Sequence, residues 1–271
     1  MRKQVLMAIG IWWLISLLCL GCGKEKAPET YSYSVASEGG FYTEVDGMQI
    51  FFNEGCMPEA EDRDIAVYRV KTALEDAKKF LGTSFASIPI SCCFHSEEGA
   101  TQVEAGALNI YYFDTVEQPY VNYMIQALLG EKAPDWLREG IAAYGAEEMG
   151  ESQHYSYAFD IPSLQGILEQ EEAPSLHELA MTLHNLGIGG EAEKLGDMIQ
   201  GIADHTSAEG ARQYRAAYSI YAGSFVQYLA EKNGFDALIR LYNGDNFQAV
   251  MTKAFHTYYQ EWKIEVLANY H

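Results

Sequence analysis

The run from Val121 to Tyr144, VNYMIQALLGEKAPDWLREGIAAY, carries the clearest helical signal in the chain, and the rest of the layout follows from it. Tyr120 to Leu129 is apolar almost throughout and ends at Gly130, the residue type that most readily closes a helix by turning left-handed. Pro134 stands where a second helix starts, since the first turn has no use for the N–H that proline lacks, and this helix extends to about Met149.

Upstream the pattern changes period. Phe41 to Glu54, FYTEVDGMQIFFNE, holds two alternating runs about Asp46-Gly47, a hairpin signal. Asp62 to Leu81 places Ile65, Val67, Val70, Ala73, Leu74, Ala77, Phe80 and Leu81 at helical spacing and stops at Gly82. Ile88–Phe94 and Ala107–Phe113 read as strands separated by a polar loop, His95 to Gly106. Downstream the chain is helical: Ser175–Leu186, a glycine patch at Gly187, Gly189 and Gly190, then Ala211–Asn233, Phe235–Tyr242 and Ala249–Tyr270. These elements predict an α+β fold, an N-terminal mixed sheet with helices (41–150) followed by a mostly helical subdomain (151–271).

At the N-terminus, Arg2 and Lys3 precede an apolar stretch, Val5 to Leu20, too short for a comfortable membrane span and of the form of a secretory signal. Leu18-Cys19-Leu20-Gly21-Cys22 resembles a bacterial lipoprotein processing site, with Cys19 where leucine is commonest. The division expected is a signal peptide over 1–21, a lipid (a palmitate-type acyl chain) on Cys22, a flexible tether over 22–40 and a folded domain over 41–271. Lys24–Gly40, KEKAPETYSYSVASEGG, has no sustained apolar period with which to bury a core. The protein is thus expected at the cell membrane, lipid-anchored on the extracytoplasmic face.

Lys and Arg number 18 against 38 acids, and losing Arg2 and Lys3 with the signal takes the formal charge from −20 to −22. That balance excludes a nucleic-acid or anionic-lipid surface, which needs clustered cations. Hydrophobic residues at 48% and aromatics at 13% argue for a packed globule outside the tether. With Cys19 removed and Cys22 acylated, Cys56, Cys92 and Cys93 remain. One disulfide is open to them outside the cytoplasm, from Cys56 to either Cys92 or Cys93, although adjacent residues on a strand point to opposite faces.

Pro134-Asp135-Trp136-Leu137-Arg138-Glu139-Gly140-Ile141-Ala142-Ala143-Tyr144 closely resembles the P-x-W-L-x-E-G-x-A-x-Y helix of the gluzincin, or peptidase-MA-like, zinc metallopeptidases, in which the glutamate is the third zinc ligand. The resemblance extends less sharply over Phe41–Tyr270, through Asn109-Ile110-Tyr111-Tyr112 at the place of the family's cleft-lining edge strand, Ala217–Leu229, Asn233-Gly234-Phe235 and Glu261-Trp262. The family's other two ligands and its general base form H-E-x-x-H on the preceding helix. Here those positions are Asn122, Tyr123 and Gln126. Zinc sites use thiolate, imidazole and carboxylate, and neutral amides donate poorly to this metal. A phenol with a reference pKa of about 10 stays protonated at neutral pH and makes a poor base.

The resemblance therefore implies a pseudo-peptidase: a gluzincin scaffold with the zinc cofactor lost, no catalytic residue expected and Glu139 the one weak metal candidate. Asn122, Gln126 and Glu139 are expected to form a hydrogen-bonded cluster between two helices. Trp136, Leu137 and Tyr144 read as packing; Asn109, Tyr111, Trp136, Tyr144, Tyr218 and Tyr221 are the residues that would line any surviving cleft.

Elsewhere, His177-Glu178 begins like a zinc motif, but Met181 stands four residues on and the next histidine, His184, seven on, about 10 Å away along a helix. His177 reads as a surface residue. His95, His154, His205, His256 and His271 are scattered, G-x-S-x-G is absent, and Gly187-Ile188-Gly189-Gly190 lacks the Lys and Ser/Thr of a phosphate loop. Three functions remain: a surface lipoprotein binding a peptide, a wall component or an envelope protein; a metallopeptidase or other hydrolase with an unconventional site involving Glu139; and a packing role within an envelope assembly.

Overall fold

The computed structural model describes residues 29–36, 39–85, 87–97, 101–104, 106–111, 120–151, 174–188 and 208–268, with side chains from 215 in the last segment. The signal, Cys22, Tyr112, His154, Gly189, Gly190, His205 and His271 lie outside the described residues. Among those described, no helix is long and apolar enough to cross a membrane.

The sheet is built from β1 (Ser34–Val35), β2 (Phe41–Val45), β3 (Met48–Phe52), β4 (Ile90–Phe94), β5 (Gln102–Glu104) and β6 (Ala107–Ile110). In space their order is β1-β2-β3-β4-β6-β5. The central three run parallel, and the pairs on either side are antiparallel. Asp46 and Gly47, both at positive φ (50° and 77°), turn β2 into β3 as the hairpin signal requires. α1 (Ala60–Leu81) crosses over between β3 and β4 and ends at Gly82, φ 87°. Alternation sends Ile50, Phe52, Cys92, Phe94, Leu108 and Ile110 to one buried face. Each such side chain stabilises by roughly 1.5–3 kcal/mol on full burial.

Under that face lie α1, α2 (Tyr120–Leu129) and α3 (Asp135–Glu148), then α4 (Leu176–Asn185), α5 (Ala208–Asn233), α6 (Phe235–Tyr242), α7 (Phe247–Val250) and α8 (Phe255–Trp262), the last running into a wide turn, Lys263–Leu267. This is an α+β architecture with a mixed six-stranded sheet. α2 packs on α1, on α3 and on the β6-β5 side of the sheet, and α3 has its most extensive partner in α5. Gly140 makes the α3–α5 approach so close that a Cβ there would stand 2.3 Å from Val226 Cγ2 and 2.6 Å from Ala222 O.

Four expectations are corrected. The loop His95–Gly106 contains a strand, β5, which pairs antiparallel with β6, so the Asn109 strand is internal and β5 is the edge. Three residues of mixed polarity give too little alternation to be recognised without a partner. The helix expected over Ala249–Tyr270 breaks at Met251 and Ala254, both extended. The break lets Phe247 and Phe255 meet at 5.4 Å and Phe255 reach Phe225.

Part of the segment expected as a tether over 22–40 belongs to the folded domain. Tyr31 N and Tyr33 OH both donate to Asp64 Oδ1, at 3.1 and 2.7 Å, and β1 adds to the sheet. The Arg63 guanidinium, 3.8 Å from the Phe41 ring centre and 4.9 Å from that of Tyr33, completes a latch that no local period announces. Finally, His177 is buried, one turn into a helix whose start the sequence did mark: Ser175 and Glu178 form a reciprocal capping box.

Candidate functional site

α2 carries Asn122, Tyr123 and Gln126, and Tyr123 feels Glu139 of α3 and Arg215 of α5. Spacing of four residues puts Asn122 and Gln126 on one face, and Gln126 Nε2 donates to Asn122 Oδ1 at 2.6 Å. Glu139 comes from α3, held in place by the close α3–α5 contact one residue on. Its Oε1 accepts the Ser219 hydroxyl of α5 in a short hydrogen bond. The expected cluster thus forms in part: the two amides engage each other, and the carboxylate accepts from a serine that spacing along α2 and α3 could not reveal.

Burial raises the Glu139 carboxyl above its ordinary range, and the Ser219 bond and the Arg138 charge oppose the shift. Burial also raises the Tyr123 phenol, and the negative charge of Glu139 adds to it, which places the two groups in one electrostatic neighbourhood. Tyr218 is buried beside them; its hydroxyl has no hydrogen-bond partner among the described residues and feels Glu139 and Asp135. Glu139 is therefore a carboxylate set beside two phenols and a serine hydroxyl.

Zinc does not fit this donor set. Glu139 is the only ionised ligand type in it, and amide or phenol oxygens do not replace imidazole. Among the described residues no three His, Cys, Asp or Glu side chains converge as metal ligands.

The remaining cleft candidates separate. Tyr221 is in the core, donating to Ile188 O at 2.9 Å and standing edge-on to Trp262. Trp136 packs on Phe225 and Phe255, and Tyr144 on Phe80 and Phe235. Asn109 and Tyr111 lie on the face of the sheet turned away from the helices, where both meet His95. Only Tyr218 of these joins Glu139.

Two glutamates at the end of α3 passed unnoticed in the sequence. Glu151 accepts from Val121 N at 2.9 Å and Glu147 from Leu176 N at 2.9 Å, so each closes the N-terminus of a neighbouring helix, α2 and α4. Burial pushes both carboxyls up to about 7. Their spacing of four was the available signal, but only tertiary placement assigns them to other helices.

His177 Nδ1 lies 2.9 Å from Ser224 Oγ, which accepts from Trp262 Nε1 at 3.0 Å. The other ring nitrogen, Nε2, lies 3.6 Å from Glu231 Oε1. The order Ser, His, Glu resembles an acyl-transfer relay, but Ser224 is wholly buried and no carbonyl substrate can meet its Oγ. Burial lowers His177 to about 4, so the network is neutral glue between α4, α5 and α8.

Cys56, Cys92 and Cys93 are free thiols here. Cys92 faces the core, and Cys93 faces the other side of the sheet as alternation predicts. Compared with known proteins, the chain matches no protein-family model, no curated protein and no solved structure.

Proposed function

We propose that this protein is a pseudo-peptidase of gluzincin-like scaffold, anchored through a lipid on Cys22 to the extracytoplasmic face of the membrane, whose α2–α3–α5 region binds a ligand instead of cleaving one. The observation that carries the proposal is the chemistry at the three motif positions. Gln126 donates to Asn122, Tyr123 holds its proton, and Glu139 accepts from Ser219. Those three positions offer a water molecule neither the imidazoles that would hold a metal to acidify it nor, at Tyr123, a base to take its proton. The retained Pro134–Tyr144 helix explains why Glu139 is still presented beside α2. Candidate ligands are an extended peptide, a wall component or an envelope protein.

Full-length chain purified in detergent, incubated with zinc and passed over a gel-filtration column, should carry no stoichiometric metal, and Glu139→Ala should leave that unchanged. The rebuilt variant Asn122→His/Tyr123→Glu/Gln126→His should bind one zinc and lose it when Glu139→Ala is added. Stoichiometric zinc in the parent, lost with Glu139, would overturn the loss of the metal. A folded rebuilt variant that binds none would overturn the scaffold assignment.

A further inference from the structure

The face of the sheet turned away from the helices carries side chains that neither the core nor the Glu139 site uses. Register sets Tyr42, Phe51, Cys93, Asn109 and Gln102 opposite one another in a row across five strands. Four strand spacings make that row about 19 Å long. The pairing continues past the strand ends, through Asn53 N to Phe94 O (2.9 Å) and His95 N to Ile110 O (2.8 Å), and brings Asn53, His95 and Tyr111 side by side. Every one of these side chains is partly or fully exposed.

Their chemistry is ordered. His95 and Tyr111 stack with ring centres 4.3 Å apart and planes 11° from parallel, and Tyr42 and Phe51 pair at 5.0 Å near the other end of the row. Between the two aromatic pairs lie amides. Asn53 Nδ2 donates to His95 Nδ1, which leaves the His95 proton on Nε2, donating to Asn109 Oδ1, each bond 3.0 Å. Cys93 Sγ donates to Asn53 Oδ1 at 3.4 Å. The imidazole is thereby fixed in orientation, and the Asn109 amide N–H₂ has no partner among the described residues.

We propose that this face is a second binding surface, and that it takes an uncharged oligosaccharide bearing acetamido groups. Flat aromatic faces pack on the C–H faces of sugar rings, and amides both donate and accept, as sugar hydroxyl and acetamido groups do. The charge on the face rules for a neutral ligand: among the described residues its strands present no lysine or arginine there, and Glu44 and Glu104 flank the row, so phosphate or carboxylate polymers are repelled. The amides interrupt the apolar surface that a protein partner of ordinary kind would need. The surface is separate from Glu139, so it stands whether or not the α2–α3–α5 region binds anything.

The test is titration calorimetry of the full-length chain in detergent with chitotriose, using maltotriose as the neutral sugar without acetamido groups. Saturable chitotriose binding is expected, weakened at least tenfold in Phe51→Ala/Tyr111→Ala and in the near-isosteric Asn109→Leu, unchanged in Glu139→Ala, with thermal midpoints close to the parent's. Absence of saturable binding, or binding indifferent to both face variants, would overturn the surface. Equal affinity for maltotriose would overturn the acetamido assignment, and tighter binding of a sulfated oligosaccharide would overturn the charge argument.

Discussion

Replacing Gly140 by alanine asks whether the α3–α5 contact is what presents Glu139 to Ser219. In an isolated helix the change would help, alanine being the better helix former by about 0.8–1 kcal/mol. Here the new methyl would stand 2.3 Å from Val226 Cγ2 and 2.6 Å from Ala222 O. Val226 is fully buried, and Ala222 O belongs to a helix backbone and cannot rotate aside. Overpacking costs about 1–3 kcal/mol and sometimes more, and a clash with backbone belongs at or above the top of that range. After the helix-propensity gain the net loss is about 2 kcal/mol, which for a domain of this size lowers the thermal midpoint by about 4–8 °C. Circular dichroism melts would measure it, and Gly140→Ala/Val226→Ala should lose at least about 0.5 kcal/mol less than the sum of the single changes, since the side-chain part of the clash is relieved. An unchanged or raised midpoint in Gly140→Ala would refute the close approach, and with it the account of how Glu139 is positioned.

Two further outcomes follow from buried carboxylates. Glu147 holds its proton up to about pH 7 in the folded chain and only to its ordinary range when unfolded, so the folded state binds more protons in between and stability falls as pH rises from about 4.5 to about 7. Glu147→Gln should flatten the decline of thermal midpoint across that window, and an unaltered slope would count against burial of this carboxyl. Asp64→Ala removes the acceptor of both Tyr31 N and Tyr33 OH, so limited proteolysis should cut within 29–36 several times faster than in the parent while the rest of the domain resists; equal cutting would mean that the latch is held by other contacts.

Legibility in the sequence followed the range of the forces. The β2-β3 hairpin, α1 with its glycine stop, α2, α3 and the capped start of α4 rest on turn residues and periods within a dozen positions, and all were readable. β5 was not, because three residues gain a strand only from β6 alongside. The unbroken helix expected after Ala249 failed because aromatic contacts with Phe225 and Trp262 outweigh continuous local hydrogen bonding. His177 was misplaced at the surface because its partners, Ser224 and Trp262, are 47 and 85 positions away.

For the site, the sequence by itself determined the residue types at the motif positions, and therefore that Asn122, Tyr123 and Gln126 cannot perform what imidazole and carboxylate perform; that is fixed by side-chain chemistry wherever those residues lie. It also determined the acidic balance of the chain. Only the tertiary structure decided that Glu139 rests on Ser219, that Glu151 and Glu147 close other helices, and that Asn109 and Tyr111 belong to a face with His95 instead of a cleft with Glu139. Those are contacts between segments distant in the chain, selected by how helices and strands pack against one another, and periodicity along a single segment carries no information about which distant group will arrive to meet it.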